Sequence, residues 1–273
     1  MQHFFATIAL ILFAHTNATG ATAPSDSRQR PARFSKDGDS VELQYLRYIP
    51  QAYDAKTKRK WPLILFLHGA GERGDDLDRV AIHGPPQLVS ENSPVPKNES
   101  PEAKKRRIGS MQFLRQNFVV ISPQCPADEI WNPHHLSALL DDVVDQLRID
   151  KKRIYLTGLS MGGYGTWDLG LRQPGRFAAI APICGGANTI TPLLNRWNAK
   201  RKEQQKHFPI WVFHGAKDTV VPMEESDRIV KLLTGYGNKN IKLTIYPEAG
   251  HNVWTETYAN PDLYRWLLSK SLP

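Results

Sequence analysis

The sequence has very few cysteines. Only Cys125 and Cys184 occur among its 273 residues, so the chain can form at most one disulfide, and a fold held together by several disulfides is excluded. The two residues also lack the Cys-x-x-Cys spacing of a redox or zinc site. Each follows an apolar, strand-like run, and the strand order of a parallel sheet would place other strands between them. We therefore predict two free, half-buried thiols.

The sequence also lacks an apolar run long enough to cross a bilayer. The run at residues 4–14 is too short to do so, and small residues follow it at 16–23, as they do before the cleavage site of a secretory signal. This pattern predicts a signal peptide over residues 1–23, a secreted or periplasmic protein, and no stable membrane span once the signal is removed. An apolar N-terminal tail is the alternative, because the segment contains no Lys or Arg. Residues 24–40 begin with a stretch rich in Ser, Pro, Arg and Gln and predict a flexible leader.

Acidic residues are outnumbered by basic ones. The chain has 27 Asp and Glu against 35 Lys and Arg, which gives a formal net charge of +8 at pH 7. A short basic run at residues 104–107 contains no aromatic residue, so it indicates a solvated loop rather than a nucleic-acid interface. The hydrophobic content of 41% and the charged content of 23% are ordinary for a soluble globular protein. The length suits a single α/β domain over residues 41–273.

Strand-like and helix-like segments alternate along the chain. An alternating run at 41–49 is followed by continuous apolar runs, typical of strands buried on both faces, at 62–69, 118–122, 154–157, 178–183, 210–214 and 241–246. Helix-like segments lie between or after them at 133–147, 162–172, 224–233 and 261–268. This alternation predicts an α/β fold, with a mainly parallel twisted sheet and helices on both of its faces.

Two segments interrupt the alternation. Residues 84–110 are rich in Pro, Ser, Lys and Glu, and we expect an exposed insertion there. Residues 187–208 place Leu193, Leu194 and Trp197 on one helical face. We expect a helix in this segment that covers the sheet edge or the cleft with that apolar face.

The segment around Ser160 is the strongest functional signal. An apolar strand-like run enters Gly158-Leu159-Ser160-Met161-Gly162, and a helix-like segment follows at once. This arrangement is typical of a nucleophile elbow, a tight strand-to-helix turn that exposes a serine hydroxyl above a sheet. The two glycines fit this interpretation, because side chains at 158 and 162 would collide with the closely folded strand and helix. A chance Gly-x-Ser-x-Gly in a loop is the alternative, and the flanking patterns disfavour it.

A serine hydroxyl reacts only when a nearby base removes its proton, and the base needs an orienting carboxylate. On a parallel sheet these groups lie at the carboxyl ends of later strands, first the acid and then the histidine. Asp218 follows the strand at 210–214, and His251 follows the strand at 241–246. We therefore predict that Ser160, Asp218 and His251 form a catalytic triad. Glu248 is the alternative acid, but it precedes the turn that carries His251 and is expected to point elsewhere.

The remaining histidines are expected to have structural roles. His68 and His214 each close a strand before a glycine, where a histidine commonly hydrogen-bonds to loop backbone. His134 and His135 begin a helix, and no third residue stands at the spacing of a metal site. We therefore predict no metal ion and no organic cofactor.

Acyl transfer also needs hydrogen-bond donors for the oxyanion that develops on the substrate. The N–H of Met161, at the start of the helix, is one expected donor. The N–H of Ala70 is the other, because small residues at 69–71 let the backbone approach a substrate. Trp131 and Trp254 are candidates for the walls of a substrate pocket, although either could simply pack its loop onto the body of the domain.

Several of these segments together resemble a known family. The motifs are PLILFLHGAGERG at 62–74, GLSMGGYGTW at 158–167, APICGG at 181–186 and GHNVW at 250–254. They are similar to the secreted phospholipase/carboxylesterase-like enzymes of the α/β-hydrolase superfamily, some of them labelled predicted peptidases, which are akin to polyhydroxybutyrate depolymerase and feruloyl esterase. The resemblance covers most of residues 41–270. It implies an α/β-hydrolase fold in which Ser160, Asp218 and His251 are the triad.

The sequence therefore predicts a serine carboxylic-ester hydrolase that acts through an acyl-enzyme. The expected substrates are short-chain or aromatic esters, free or linked to a polysaccharide, with no nucleic-acid partner. Two alternatives remain open at this point. One is a serine peptidase of the prolyl-oligopeptidase type, and the other is a non-catalytic binding module built on a hydrolase fold.

Overall fold

The computed structural model describes residues 28–35, 42–53, 57–91, 96 and 98–273. The predicted signal peptide at residues 1–23 lies outside the described residues. Among the residues that are described, no helix has both the length and the apolar character needed to cross a membrane.

Eight strands of the described chain form one sheet. They are β1 (Gln29–Ser35), β2 (Glu42–Tyr48), β3 (Trp61–Leu67), β4 (Val119–Pro123), β5 (Ile149–Leu159), β6 (Ala179–Ile183), β7 (Ile210–Gly215) and β8 (Ile241–Tyr246). Their order across the sheet is β1-β2-β4-β3-β5-β6-β7-β8. β2 pairs antiparallel with β1 and β4, and all further neighbours are parallel. The predicted mainly parallel sheet is confirmed.

The helices cover both faces of this sheet. They are α1 (Gly84–Val89), α2 (Pro101–Asn117), α3 (Pro133–Gln146), α4 (Met161–Arg172), α5 (Ile190–Asn195), α6 (Ala199–His207), α7 (Glu224–Gly235), α8 (Trp254–Tyr258) and α9 (Pro261–Leu268). Alternate residues of β3 point to opposite faces, as in any strand. Leu63 and Leu65 pack with α3, α4 and α7, whereas Ile64 and Phe66 pack with α1, α2 and α9. The predicted arrangement of helices on both faces is therefore also confirmed.

The flexible leader predicted over residues 24–40 is wrong for the part that the structure describes. Residues 29–35 form β1, which pairs with β2 along its whole length. Phe34 is the only buried side chain of this edge strand. Because backbone hydrogen bonds rather than apolar side chains attach β1 to the sheet, its polar composition did not reveal it.

The exposed insertion expected at residues 84–110 is instead largely helical. Helix α1 is buried at five of its six positions, including Leu88 and Val89, so this part is not exposed. Helix α2 begins at Pro101 with Ser100 as its N-cap, whose hydroxyl accepts the N–H of Ala103. The basic run at 104–107 lies in the first part of α2, in a helix rather than in the predicted loop; residues 104–106 are exposed, whereas the Arg107 side chain is largely buried and pairs with Glu99.

The expectation for residues 187–208 is also wrong. The segment forms two short helices, α5 and α6, rather than one helix. Leu193, Leu194 and Trp197 point to the solvent and do not cover the sheet or the cleft. The inward contacts of the two helices include the buried polar side chains of Asn195 and Gln205, and the apolar residues that reach the core, Ala187 and Phe208, lie at the two ends of the segment.

Both cysteines are free, as predicted, but they are buried rather than half-buried. Burial raises the pKa of the Cys125 thiol to about 11 and that of the Cys184 thiol to about 12. Both thiols are therefore protonated at neutral pH, and neither provides the thiolate that a cysteine nucleophile requires.

Candidate active site

Ser160 lies in a strained turn between β5 and α4. Its φ of 51° is in the left-handed region that side chains other than glycine seldom occupy. The backbone is held in place by the Ser160 N–H, which donates to the Ile183 carbonyl at 3.0 Å, and by the Ser160 carbonyl, which accepts the Tyr164 N–H at 3.1 Å. Strain of this kind persists only where the surroundings fix it, and it is common at functional sites.

The two glycines of the turn are required by close backbone packing. A Cβ atom at Gly158 would lie 2.7 Å from the Leu67 carbonyl oxygen. A Cβ atom at Gly162 would collide with the same carbonyl group and lie 2.6 Å from the His68 oxygen. Strand β3 therefore passes so close to the turn that neither position can carry a side chain, as the sequence predicted.

The three residues predicted as a triad form one hydrogen-bonded chain. His251 Nδ1 lies 2.7 Å from Asp218 Oδ2, and His251 Nε2 lies 2.9 Å from Ser160 Oγ. An ionised carboxylate only accepts hydrogen bonds, so Nδ1 carries the proton and Nε2 accepts the hydroxyl proton of Ser160. The parallel strands β5, β7 and β8 end at the same edge of the sheet, which is why residues 91 and 33 positions apart meet there.

Asp218 is held ionised by its surroundings. Its Oδ1 accepts the N–H groups of Val220 and Val221, both at 2.9 Å. Burial opposes ionisation, but the hydrogen bond from His251 and those from the two valine amides outweigh it and lower the pKa of Asp218 below its ordinary value. The carboxylate is therefore charged and fixed in position at neutral pH.

His214 is a second partner of this carboxylate that the sequence did not reveal. Its Nε2 lies 2.8 Å from the Val221 carbonyl and 3.2 Å from Asp218 Oδ2. Since both neighbours are acceptors, Nε2 carries a proton and donates to them, while Nδ1 lies 2.7 Å from Ser226 Oγ. The sequence correctly assigned His214 to loop backbone, but only the fold shows that this loop is the one that orients Asp218.

The alternative acid Glu248 lies apart from the histidine, and so does Asp227, an acid in the first turn of α7. Glu248 is exposed and forms an ion pair with Lys217. Asp227 pairs with Lys231 on the surface of α7, with 2.6 Å between the charged atoms. Neither carboxylate has a contact with His251 among the described residues.

The loop after β3 passes directly beside the serine. A Cβ atom at Gly69 would lie 2.8 Å from the side chain of Leu159 and 3.7 Å from Ser160 Cβ. Ala70 begins a 3₁₀ helix, Ala70–Glu72, and Met161 begins α4. Within the described part of the chain, neither Ala70 nor Met161 donates its N–H to a protein acceptor. Both groups are thus available to another acceptor.

His68 anchors this loop as a neutral imidazole. Its Nδ1 donates to the Gly69 carbonyl at 2.6 Å, and its Nε2 accepts the Cys125 N–H at 3.0 Å. Burial lowers the pKa of His68 to about 4. Its predicted bond to loop backbone is therefore present, and it fixes the position of Gly69 and Ala70.

The two tryptophans line different cavities next to the site. Trp131 lines a cavity of about 540 Å³ that contains Ser160, Met161 and Tyr164, and its indole N–H donates to the His68 carbonyl at 3.0 Å. Trp254 instead packs edge-on against His251, with ring centroids 5.3 Å apart. It lines a second cavity of about 710 Å³ between α1, α2 and α8.

The described residues contain no group of three or more His, Cys, Asp or Glu side chains placed to hold a metal ion. His134 and His135 lie in the first turn of α3, where their N–H groups donate to the Asn132 side chain. The backbone N–H groups of these two residues are bound by the N-cap of α3, which is a structural role rather than metal binding.

Comparisons with known proteins agree with this architecture. The chain is 27% identical over 162 residues to a poly(3-hydroxyoctanoate) depolymerase from Pseudomonas fluorescens, covering 51% of this chain and 55% of that protein. It is 30% identical over 127 residues to a bifunctional acetylxylan esterase/xylanase from Neocallimastix patriciarum, covering 42% of this chain and 17% of that protein. The chain thus spans about half, or much less, of the length of these relatives.

A solved structure gives broader coverage. The crystal structure of a thermostable esterase superposes with a TM-score of 0.67 and 32% sequence identity, over 89% of this chain and 63% of that one. The sequence model of the family described as phospholipase/carboxylesterase matches residues 51–260, which is most of the chain. This chain therefore belongs to the phospholipase/carboxylesterase family and has the α/β-hydrolase fold.

Proposed function

We propose that this protein is a carboxylic-ester hydrolase that works through an acyl-enzyme on Ser160. The observation that carries the proposal is the hydrogen-bonded chain from Asp218 through His251 to Ser160 Oγ. In this assignment Ser160 is the nucleophile, His251 is the general base and then the general acid, and Asp218 holds the imidazole in the tautomer that leaves Nε2 free to accept a proton.

The first half of the reaction forms the acyl-enzyme. Ser160 Oγ attacks the ester carbonyl carbon while its proton passes to His251 Nε2. The carbonyl oxygen becomes an oxyanion, which the N–H groups of Ala70 and Met161 stabilise; one such donor contributes about 3–4 kcal/mol in comparable enzymes. The bond from carbon to the alcohol oxygen then breaks, and the leaving oxygen takes the proton from Nε2.

The second half releases the acid. A water molecule attacks the acyl-enzyme as His251 Nε2 accepts its proton, and the tetrahedral intermediate collapses with return of that proton to Ser160 Oγ. Ester and water have then become a carboxylic acid and an alcohol. Every proton transfer is made by His251, so this reaction requires no cofactor.

The cavity at Ser160 supports small or flat acyl groups. Its walls of Trp131, Tyr164 and Ile130 suit a short-chain or aromatic acyl group that is held by burial and stacking, and its volume of about 540 Å³ accommodates either. The acetylxylan esterase among the relatives acts, by its name, on a short acyl group carried by a polysaccharide. We therefore extend the proposal to short-chain or aromatic esters, including polysaccharide-linked ones.

Trp254 is proposed to act next to the histidine. It lies against the ring of His251, which is the residue that protonates the leaving alcohol. We infer that this indole shapes the space through which the ester reaches the histidine.

The N-terminal pattern at residues 1–23 supports a secreted or periplasmic location for this activity.

The test treats the purified protein with a fluorophosphonate probe, then assays p-nitrophenyl acetate and a peptide anilide. An ester hydrolase is labelled and cleaves the acetate much faster than the anilide. Faster cleavage of the anilide would overturn the proposal in favour of a serine peptidase. Absence of both labelling and turnover would identify a non-catalytic module. A panel of acetyl, butyryl, octanoyl and feruloyl esters then tests the proposed acyl group, with octanoyl expected to be the poorest.

A further inference from the structure

Helix α5 and the turn after it present apolar side chains to the solvent. The exposed fractions are 59% for Ile190, 39% for Leu193, 51% for Leu194 and 80% for Trp197. Single exposed apolar residues are ordinary on a protein surface, but a contiguous group of them marks an interaction site. We call these four residues the α5 apolar face.

Hydrogen bonds on the inner side of the segment fix this orientation. The buried Asn195 amide donates to the Leu171 carbonyl at 2.8 Å and to Gln205 Oε1 at 3.1 Å. The Gln205 amide in turn lies 3.4 Å from the Pro192 carbonyl. The usual arrangement of a surface helix is therefore largely inverted: Pro192 and the Asn195 amide are buried, while the larger apolar side chains point outward. Rotating the helix to bury its apolar face would break these bonds, so the exposure is built into the fold.

Positive charge adjoins the α5 apolar face. Arg196, Lys200, Arg201 and Lys202 are all exposed. The first carboxylate after them, Glu203, pairs with Lys206 and His207 instead. Within the described chain, none of these four cations pairs with a carboxylate; Arg196 instead stacks over the Tyr236 ring at 4.4 Å. Tryptophan and leucine next to unpaired Lys and Arg are the composition of segments that lie in the headgroup region of anionic membranes.

The α5 apolar face continues to the rim of the serine cavity. Asn188 is part of the cavity wall, and its Oδ1 accepts the Ile190 N–H at 2.8 Å. Ile130 and Tyr164, which also line that cavity, are exposed apolar residues themselves. A surface that contacts α5 would therefore lie next to the entrance of the site.

We propose that the α5 apolar face docks onto the surface of an anionic phospholipid bilayer. Leu194 and Trp197 enter the headgroup region, while Lys200, Arg201 and Lys202 contact lipid phosphates. The cations favour this partner over an uncharged polyester surface, for which they have no counterpart. They also disfavour a second copy of the chain, since a symmetric contact would bring together two clusters of unpaired positive charge on proteins of net charge +8.

The experiment measures binding of the purified protein to vesicles by co-sedimentation. Vesicles of phosphatidylcholine are compared with vesicles that contain about 30% phosphatidylglycerol, at low and high salt. We expect binding to the anionic vesicles, weakened by salt, and at least ten-fold weaker binding to the neutral ones. Equal binding to both compositions, or none to either, would overturn the proposal.

Two variants and one control assign the binding to this surface. Each Lys or Arg near an anionic bilayer adds about five-fold to affinity, so loss of three positive charges weakens binding about a hundred-fold. The combined variant Lys200→Glu, Arg201→Glu and Lys202→Glu also introduces three repelled carboxylates and should bind at least about a hundred-fold more weakly. Trp197→Ser tests the apolar part, and its exposed position leaves folding intact, which a melting curve checks. The control is the pair Lys104→Glu and Lys105→Glu, whose exposed charges lie on α2 against the opposite face of the sheet.

The control pair should reduce vesicle affinity much less than the changes at 200–202, although it alters net charge. An equal loss would mean that overall charge rather than the α5 surface drives binding, and would overturn the proposal. Light scattering gives a separate check. A concentration-dependent dimer that Trp197→Ser abolishes, without vesicle binding, would identify a second copy as the occupant instead.

Discussion

Replacing Asp218 with Asn tests the proposed triad at its least exposed member. The carboxylate accepts the N–H groups of Val220 and Val221 on Oδ1 and those of His251 and His214 on Oδ2. An Asn side chain has only one acceptor oxygen. If that oxygen stays with the valine amides, its NH₂ group faces His251 Nδ1 and forces the ring proton onto Nε2. The histidine can then no longer accept the proton of Ser160.

The flipped amide is the costlier orientation. It would leave the buried Val221 N–H and the part-buried Val220 N–H facing an NH₂ group, at about 1–3 kcal/mol for an unsatisfied buried donor. In the first orientation His214 keeps its bond to the Val221 carbonyl. The first orientation therefore dominates. The same exchange in a serine protease lowers turnover about ten-thousand-fold, which corresponds to about 5 kcal/mol of activation free energy. We expect a loss of this order in kcat for p-nitrophenyl acetate.

Glu248→Gln is the matched control, because it neutralises a carboxylate on a neighbouring strand end. Among the described residues Glu248 pairs with the exposed Lys217 alone, and surface pairs contribute about 0–1 kcal/mol, so kcat should remain within a factor of two. Melting curves of both variants show whether the fold is retained. The assignment of the acid is refuted if Glu248→Gln is the more damaging change, or if folded Asp218→Asn keeps a tenth of the activity.

Three further changes probe the turn, the loop and the pocket. Gly162→Ala should destabilise the protein by several kcal/mol in urea unfolding, because its Cβ would collide with strand β3; Gly235→Ala, where no atom lies within 4 Å of the added Cβ, should not. His68→Gln should make the free energy of unfolding less sensitive to acid. The pKa of His68 is about 4 in the folded protein and 6.5 in the unfolded chain, so the unfolded chain binds the proton first as the pH falls. The free energy of unfolding of the wild type therefore drops by up to about 3 kcal/mol between pH 6.5 and 4. Trp254→Ala should change the ratio of kcat/KM for aromatic and acetyl esters while the fold is kept. Trp131→Ala should instead lower the free energy of unfolding by about 3–5 kcal/mol, because Trp131 is buried.

Each of these predictions has a clear contrary result. Equal stability of the two glycine variants would mean that the turn can relax away from β3. An unchanged slope of stability against pH in His68→Gln would mean that the native imidazole is protonated at mild acidity. An unchanged substrate ratio in Trp254→Ala, together with a large drop in melting temperature, would make that tryptophan a packing residue only.

The sequence predicted the parts of the fold in which side-chain chemistry and backbone structure agree. The central strands are continuous apolar runs because both of their faces are buried, and the groups at Ser160, Asp218 and His251 follow such runs directly. Parallel strands bring their carboxyl ends to one edge of a sheet, so order along the chain was enough to predict that these groups meet. His214 shows the limit of this reasoning, since its contact with Asp218 depends on how the loop at 215–221 folds back.

The sequence misled where backbone bonds or buried amides replace apolar contacts. Strand β1 is attached by its pairing with β2 and buries only Phe34, so composition indicated a leader. In α5 the apolar pattern was recognised, but its direction was inverted, because the Asn195 amide donates inside to Gln205 Oε1 and to the Leu171 carbonyl. Periodicity shows which residues share a helix face; it does not show whether that face is turned inward.

The most direct test of the central claim locates the nucleophile itself. The protein is labelled to completion with a fluorophosphonate, digested, and the modified peptide is sequenced by mass spectrometry. The account predicts a single adduct on Ser160, loss of ester hydrolysis in proportion to labelling, and neither labelling nor activity in a Ser160→Ala variant that melts within a few degrees of the wild type. An adduct on any other residue, or more than a few per cent of wild-type activity in folded Ser160→Ala, would contradict it.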